Sequence, residues 1–355
     1  MSDWRHTISI MAALAALALA GVATWKAAAA APYLLVTLAD IDTGTFDRRD
    51  DARERGSRGV VFLGDIMLAR DVERRAPELL PEHQLTRLSH LLADAVVVGN
   101  FEASVPEVHE PTPSMVMKFS VPNKALNVLV EAGITHLSLA NNHALDHGPT
   151  GFSNTVREFR LRGLEPVGHP SDVAASSVSY IESGDKILAI LALNATYGYP
   201  KETEWGPVLE VAGARSDVQV AYIHWGDEYE ILHNDAQEDF AHALIDAGID
   251  LIVGHHPHVV QDVSHYNDRL IFYSLGNTVF DQYFSTRVTE GLVLKLSSED
   301  DEWRAFLHPV ETRSVKTQPR EMSEDESKTF LESLAERSDA VLREGILAGS
   351  LPLQF

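Results

Sequence analysis

The chain has 355 residues, enough for one large globular domain or two ordinary ones with a sizeable core. It contains no cysteine, which excludes disulfides, thiolate metal sites and a lipid-modified N-terminal cysteine, and which fits an exported protein. The formal net charge of -23 argues against a nucleic-acid partner, because a phosphate backbone would be repelled. Beyond the N-terminal region, the composition is that of a soluble acidic protein.

The N-terminal region contains an uncharged apolar stretch, residues 8–25, preceded by Arg5 and followed by Lys26. Its length lies between that of a signal-peptide core and that of a spanning helix, which needs about 20 residues. The alanines at 27–31 offer a cleavage site. We predict that residues 1–31 are an export signal or a membrane anchor, which places the rest of the chain in the periplasm or at the cell surface. A buried helix of a globular domain is the alternative.

The remaining chain divides into three parts by composition. Residues 32–58 are rich in charge, glycine and serine towards their end and are predicted to form a linker. Residues 59–312 carry the pattern of a folded domain, and residues 313–355 form a tail. In this tail, residues 324–347 have apolar side chains at helical spacing: Phe330, Leu331, Leu334, Val341, Leu342 and Ile346. That spacing predicts an amphipathic helix docked on the domain.

Within residues 59–312, short apolar runs alternate with helical patterns. The predicted strands are 60–63, 95–98, 135–139, 187–193, 218–223, 249–253 and 270–274. The predicted helices are 82–93, 124–132, 152–162 and 237–246, and a closing hairpin is predicted over 291–296 and 303–310. Strands that alternate with helices indicate an α/β fold with a largely parallel sheet.

Side chains that bind metals follow several of these predicted strands. They are Asp65, Asn100, Glu102, Asn142, His143, His224, His256 and His258. Each alone is more typical of a turn, a helix cap or a structural histidine. Together they are delivered to the carboxyl ends of parallel strands, where ligands bind in such sheets. Oxygen and imidazole donors suit Zn, Mn or Fe better than Ca or Mg, so the sequence predicts a divalent metal site.

The motifs containing these residues recur in a known family. They are G-D-I-M at 64–67, G-N-F-E at 99–102, L-A-N-N-H-A-L-D-H-G at 139–148, H-W-G-D-E-Y at 224–229, G-H-H-P-H-V-V-Q at 254–261 and F-Y-S-L-G-N at 272–277. This order resembles the CapA family of bacterial capsule and poly-γ-glutamate synthesis proteins, within the calcineurin-like metallophosphoesterase superfamily. The resemblance covers residues 60–310 and implies a four-layer α/β/β/α sandwich with a metal centre at the sheet edge.

The resemblance also implies roles for individual residues. The implied ligands of one or two ions are Asp65, Asn142, His224, His256 and His258, with Glu102 able to bridge. His143 is implied as the acid beside the metal, with Asp146 orienting it, whereas His255 lies outside the pair of histidine ligands. Met67 and Asn100 stand where the superfamily has a further ligand and a bridging aspartate.

The implied function is a metal-dependent hydrolase or transferase in the synthesis or export of a capsule or of poly-γ-glutamate. Its partners would be an anionic envelope polymer or its precursor, the membrane, and other capsule-synthesis proteins. Two alternatives stay open: a non-catalytic membrane-anchored assembly or export factor, and a metal-dependent phosphoesterase. Met67 and Asn100 favour the non-catalytic factor, whereas His143 and Asp146 favour an enzyme.

Overall fold

The computed structural model describes residues 59–113, 115–299 and 302–355. The predicted signal or anchor and the predicted linker, residues 1–58, lie outside the described residues. Among the helices of the described ranges, none has the length and apolar character needed to cross a bilayer.

Two β-sheets form the centre of the described chain. The first sheet has nine strands: β1 (Val60–Ile66), β2 (Val96–Phe101), β3 (His136–Ser138), β4 (Glu165–Val167), β11 (Asn277–Val279), β12 (Glu290–Glu299), β13 (Glu302–Glu311), β14 (Arg320–Glu321) and β15 (Ser350–Pro352). Their order is β14-β13-β12-β1-β2-β3-β4, with β11 beside β1 and β15 beside β13. Strands β1 to β4 are parallel, whereas β12 to β15 pair in antiparallel fashion.

The second sheet has six strands: β5 (Val178–Ser183), β6 (Lys186–Asn194), β7 (Val218–His224), β8 (Leu251–His255), β9 (Val263–Tyr266) and β10 (Arg269–Phe272). Their order is β5-β6-β7-β8-β10-β9, and β6, β7, β8 and β10 run parallel. The chain is therefore a mixed α/β protein with two sheets, each with the parallel centre that alternating strands and helices predict.

The strands pack through both of their faces. In β1, Val60 and Phe62 belong to the apolar core between the two sheets, whereas Val61 and Leu63 belong to the core under the helices. Tyr222 and Ile223 of β7 divide in the same way. This alternation follows the two-residue period of a strand, and burial on both faces explains why these runs are continuously apolar.

Most helices cover the outer faces of the two sheets, whereas the last two helices of the chain pack on the core between the sheets. The helices are α1 (Arg70–Arg75), α2 (Ser89–Leu92), α3 (Asn127–Glu131), α4 (Gly148–Arg160), α5 (Glu202–Gly213), α6 (Asp235–Asp246), α7 (Glu324–Arg337) and α8 (Arg343–Leu347). Residues of α1 to α4 share an apolar core with the first sheet, and residues of α5 and α6 share one with the second.

The tail is docked as predicted, but as two helices rather than one. Phe330 and Leu334 of α7 and Ile346 of α8 are buried in the core between the sheets. Between the helices, the Ser338 hydroxyl accepts a hydrogen bond from the Val263 amide at 2.9 Å. This pairing with β9 draws the chain out of helical geometry, since a serine side chain competes with helix hydrogen bonds.

Candidate metal centre

Polar side chains from both sheets meet at the carboxyl ends of their central strands. Asp65 of β1 is in register with Asn100 of β2 in the first sheet. His224 of β7 is in register with His255 of β8 in the second sheet. The short parallel registers therefore place one pair of polar residues from each sheet at the same edge, where ligand sites form in α/β folds.

One group of potential metal ligands consists of Asp65, His224 and His255, all fully buried. Asp65 Oδ1 lies 3.9 Å from His224 Nδ1 and 3.6 Å from His255 Nδ1. The two imidazole Nδ1 atoms are 2.7 Å apart. Burial lowers the pKa of His224 well below its usual value and that of His255 to about 3, so both rings are neutral and have a lone pair to offer.

A second group consists of Asp65, Glu102 and His258. Asp65 Oδ2 lies 3.3 Å from His258 Nδ1, and Glu102 Oε1 lies 3.7 Å from His258 Nε2. Asp65 therefore turns one carboxylate oxygen towards each group. Burial raises the pKa of Asp65, but hydrogen bonding and charge from His258 lower it to about 2, so this carboxylate is ionised.

Glu102 is the least satisfied side chain of the centre. Its carboxylate is fully buried, and among the described residues neither oxygen has a hydrogen-bond partner. Burial, followed by the negative charge of Asp65, raises the pKa of Glu102 well above its usual value. A buried carboxylate without hydrogen bonds is costly unless a proton or a cation neutralises it. The donor set around it, carboxylate and imidazole, is one that Mn, Zn or Fe accepts.

Asn100 orients the first group through hydrogen bonds. Its Nδ2 donates to Asp65 Oδ1 at 2.9 Å and lies 3.3 Å from His224 Nδ1. Its Oδ1 accepts from Asn141 Nδ2 at 2.9 Å, and Asn141 Oδ1 in turn accepts from the His143 amide at 3.0 Å. The asparagines therefore form a chain that joins the ends of β2 and β3 to the centre.

Asn142 and His256 contact the first group from outside. Asn142 Oδ1 lies 2.9 Å from His224 Nε2. The His256 amide donates to Asp65 Oδ2 at 3.2 Å, and its ring centroid is 4.5 Å from that of His224. Burial lowers the pKa of His256 to about 4, and its Nδ1 has no partner among the described residues. Neither side chain belongs to the two groups above, so their role as ligands stays a prediction.

His143 is held beside Glu102 by Asp146. Its Nδ1 lies 2.8 Å from Asp146 Oδ2, and its Nε2 lies 3.8 Å from Glu102 Oε1. Asp146 also accepts a hydrogen bond from the Phe119 amide at 2.6 Å, which fixes the carboxylate. With the Nδ1 proton assigned to the bond with Asp146, Nε2 is the nitrogen that faces the centre. The role of His143 as an acid stays a prediction.

Two phenylalanines and an arginine support the histidine rings. Phe119 stacks on His143 with centroids 4.1 Å apart, and Phe280 packs on His258 at 4.6 Å. The guanidinium carbon of Arg70 lies 4.6 Å from the Phe119 centroid and 5.7 Å from that of Phe280. Neither the arginine nor the phenylalanines follow from the sequence motifs, because their contacts join segments distant in the chain.

Comparison with known proteins identifies the family. The family model described as bacterial capsule synthesis protein PGA_cap matches residues 59–282. The chain belongs to the PGA_cap family. The "PGA biosynthesis protein CapA" of Bacillus subtilis (strain 168) is 30% identical over 295 residues, 78% of each chain. The "Capsule biosynthesis protein CapA" of Bacillus anthracis is 31% identical over 263 residues, 68% of this chain and 64% of the relative.

Solved structures give a more distant likeness. A structure titled as that of a novel phosphatase, from Mycoplasma pneumoniae, aligns with a TM-score of 0.43 and 16% identity, over 75% of this chain and 94% of that one. A hypothetical protein from Thermus thermophilus aligns with a TM-score of 0.43 and 16% identity, over 74% of this chain and 98% of that chain. The family relationship rests on the sequence matches, which confirm the family predicted from the motifs.

The PGA_cap match contains both groups of potential ligands and a further polar residue that fixes one of them. Asn277, in the motif that ends at β11, accepts from His258 Nδ1 at 3.0 Å. Its Nδ2 donates to the Val288 carbonyl at 2.9 Å, which attaches the segment before β12 to the centre. Met67 also lies within the match. It is fully buried under the helices, and its sulfur accepts from the Ala69 amide at 3.0 Å.

Gly254 of β8 leaves no room for a side chain immediately before His255. A Cβ at this position would lie 2.0 Å from the Tyr273 carbonyl oxygen and 2.4 Å from Trp225 Nε1. We expect Gly254→Ala to lower the free energy of unfolding by at least about 2 kcal/mol, because overpacking forces the backbone apart. Urea denaturation followed by circular dichroism measures this change.

Gly213 at the end of α5 provides the matched control. Its nearest neighbour to an added Cβ is Gln219 Cδ at 3.9 Å. Gly213→Ala should therefore change the free energy of unfolding by less than about 1 kcal/mol. Equal stability of the two variants would show that β8 and the strand end at Tyr273 are not packed as closely as described.

Proposed function

We propose that this PGA_cap protein is a metal-dependent hydrolase or transferase of the metallophosphoesterase type, with the four-layer sandwich of that superfamily. It acts in the synthesis or export of a capsule or of poly-γ-glutamate, on an anionic envelope polymer or its precursor. The observation that carries the proposal is the Glu102 carboxylate, which is fully buried beside Asp65 and His258 and has no hydrogen-bond partner among the described residues. The printed names of the relatives from Bacillus support the polymer class.

The residues that would hold the metal are those of the two buried groups. Asp65 is common to both, His224 and His255 complete one, and Glu102 and His258 complete the other. One or two ions of Mn, Zn or Fe fit these donors. When bound, such an ion would supply Lewis acidity that polarises a carbonyl or phosphoryl oxygen of the substrate.

The protein's own acid in this proposal is His143. Its Nε2 faces the centre while Nδ1 is held by Asp146, so a ring that carries a proton on both nitrogens can donate the one on Nε2 to a leaving group. Phe119 covers one face of the ring and shields it from water. A binding protein without catalytic activity has no need for a proton donor placed in this way.

A non-catalytic assembly or export factor is the second candidate, and Asn100 supports it. Its amide donates to Asp65 where the superfamily has a bridging carboxylate, so this position contributes no negative charge to hold a second ion. A centre with weaker metal binding would serve as a binding surface for polymer or for other capsule-synthesis proteins. The measurements on His143 described in the Discussion distinguish the two candidates.

Elemental analysis tests metal dependence directly. After exposure to Mn, Zn and Fe and removal of loosely bound ions, we expect one or two equivalents per chain. Asp65→Asn should retain less than about a tenth of this metal, because Asp65 faces both groups of ligands and carboxylates are strong ligands for these ions. Wild-type protein that retains no metal under these conditions contradicts the proposal.

We also propose that the domain lies outside the cytoplasm and is attached to the membrane, or released from it, through residues 1–31. The apolar stretch at 8–25 supports this location. A reporter that is active only in the cytoplasm should give no signal when it is fused to the C-terminus of the full chain. The same fusion lacking residues 1–31 should give a strong signal. Strong signal from both fusions would contradict an extracytoplasmic location.

A further inference from the structure

A cavity lies beside α7, and none of the residues of the metal centre lines it. It occupies about 620 Å³ between α7 and the segment before β12, and its lining includes Arg287, Arg313 and Arg337. The volume is in the range of small-ligand sites. In a chain with a formal net charge of -23, three guanidinium groups around one cavity need an explanation.

Arg337 donates hydrogen bonds to Ser333 and Val260 but forms no salt bridge with a described carboxylate. It lies in the last turn of α7, and its hydrogen bond to the Val260 carbonyl is 3.1 Å long. Its Nε is buried without a partner among the described residues. Burial lowers the pKa of Arg337, and the neighbouring charges of Asp262 and Glu290 offset this only in part.

The acidic residues of the cavity lie mostly in other pairs. Glu290 is bonded to Arg313, and Glu326 is bonded to Arg320 at 2.9 and 3.0 Å. Asp325 lies in the first turn of α7, about 18 Å along the helix from Arg337. Arg287 forms no salt bridge with the carboxylates that the structure describes. At Arg337 and Arg287, the cavity therefore presents two guanidinium groups that have no salt bridge among the described residues.

The cavity wall beside Arg337 is apolar. Val259 and Val260 follow His258 directly and line the cavity together with Phe330 of α7. Inorganic phosphate would leave these side chains without a partner, whereas a carboxylate carried on an aliphatic chain would cover them while it pairs with the arginines. The Val288 carbonyl, next to Arg287, is joined through Asn277 to His258. These hydrogen bonds attach the segment that carries Arg287 to the metal centre.

We propose that the cavity at Arg337 and Arg287 binds a carboxylate group of an acidic polypeptide chain. The planar guanidinium of Arg337 pairs with both oxygens of a carboxylate, and Arg287 adds a second positive charge at the opening. Binding at this place gives Arg337 the salt bridge that it lacks among the described residues. The inference rests on the proposed function for the identity of the ligand, the acidic polymer. Binding in this cavity does not itself require the metal.

Titration calorimetry with metal-stripped protein tests the proposal. The protein is passed over chelating resin, and the probes are a hexamer of γ-linked glutamate and inorganic phosphate. We expect the hexamer to bind to the wild-type protein. Arg337→Gln should lower the affinity for the hexamer by at least about tenfold, which is the effect of losing a hydrogen bond to a charged group. Arg287→Gln, which touches no buried hydrogen bond among the described residues, should weaken binding severalfold.

Lys328→Gln is the matched control, because it removes one positive charge from the same helix at a residue that does not line the cavity. Its affinity for the hexamer should stay within about twofold of wild type. Equal weakening by Lys328→Gln and Arg337→Gln, or no binding by wild type, would overturn the proposal. Phosphate that binds while the hexamer does not would overturn the assignment to carboxylate. Since the protein is free of metal, these results leave the metal proposal to be judged by elemental analysis.

Discussion

Glu102→Gln is expected to weaken the binding of divalent metal by at least about a hundredfold. Removing a residue that only orients a ligand already costs about 10- to 100-fold, and Glu102 contributes its own buried carboxylate. The isosteric amide keeps the volume of the side chain, so the space around His258 stays filled. Metal content after dialysis, and competition with a coloured chelator, measure the change.

Although Glu102→Gln should weaken metal binding, it should not lower the stability of the metal-free protein. A neutral amide at position 102 does not require a charge, or a proton taken up from solution, to be buried. Metal-free Glu102→Gln should therefore unfold at a temperature equal to or above that of metal-free wild type. Glu131→Gln, an exposed acid on α3, controls for the change in net charge. Full metal retention by Glu102→Gln would show that Glu102 is not a ligand.

His143→Gln is expected to lower turnover by about 10²- to 10⁴-fold while metal content stays near that of wild type. Glutamine fills much of the same space against Phe119 but cannot act as a general acid. Turnover is measured on model esters and amides, and polymer output is measured in cells that depend on this chain. A loss of this size with metal still bound would identify His143 as an acid rather than a structural residue.

His258→Gln provides the contrasting variant, because it makes the same chemical change at another buried ring of the centre. It should lose metal and thereby lose the stability that bound metal adds to the folded state. If His143→Gln supports full polymer output while His258→Gln does not, the centre is a binding or structural site. The enzyme assignment would then be withdrawn in favour of the assembly factor.

The strands of the central sheets could be predicted because their signal is local. β1, β7 and β8 are apolar runs that end in polar motifs, and each lies within a few residues of its predicted position. Helix α5 has no counterpart in the prediction, since Gly206 and Pro207 argue against a helix although the fold accommodates both. Packing of Trp205 and Leu209 on the second sheet outweighs this low propensity.

The helix predicted at residues 82–93 is shorter in the structure. Only Ser89–Leu92 is α-helical, preceded by a 3₁₀ turn at Thr86–Leu88. The Thr86 hydroxyl accepts from the His83 amide at 2.9 Å, and the His83 ring accepts from the Leu85 amide at 3.2 Å. These side chains accept hydrogen bonds from backbone amides and so replace the first turn of the predicted helix. The spacing of apolar residues does not reveal this effect.

In the metal centre, the residue types could be predicted but not all their positions. His255 is predicted to lie outside the histidine pair, yet it is the residue in register with His224 and lies with it and Asp65 in one buried group. That register is set by pairing of β7 with β8, which no single motif encodes. The hydrogen-bond chain through Asn141 escapes prediction for the same reason, since an adjacent pair of asparagines is typical of a turn.

The donors of the centre come from two sheets whose shared core is mostly apolar. Asp65 and Glu102 belong to the first sheet and the loop after it, whereas His224 and His255 belong to the second. Apolar contacts lack direction and tolerate small displacements, but an ion held from both sides fixes distance and angle. Bound metal would thus hold the two sheets together at one end of the core between them. Stripping it should quicken amide exchange at the ends of β1 and β8 first, while their opposite ends stay protected.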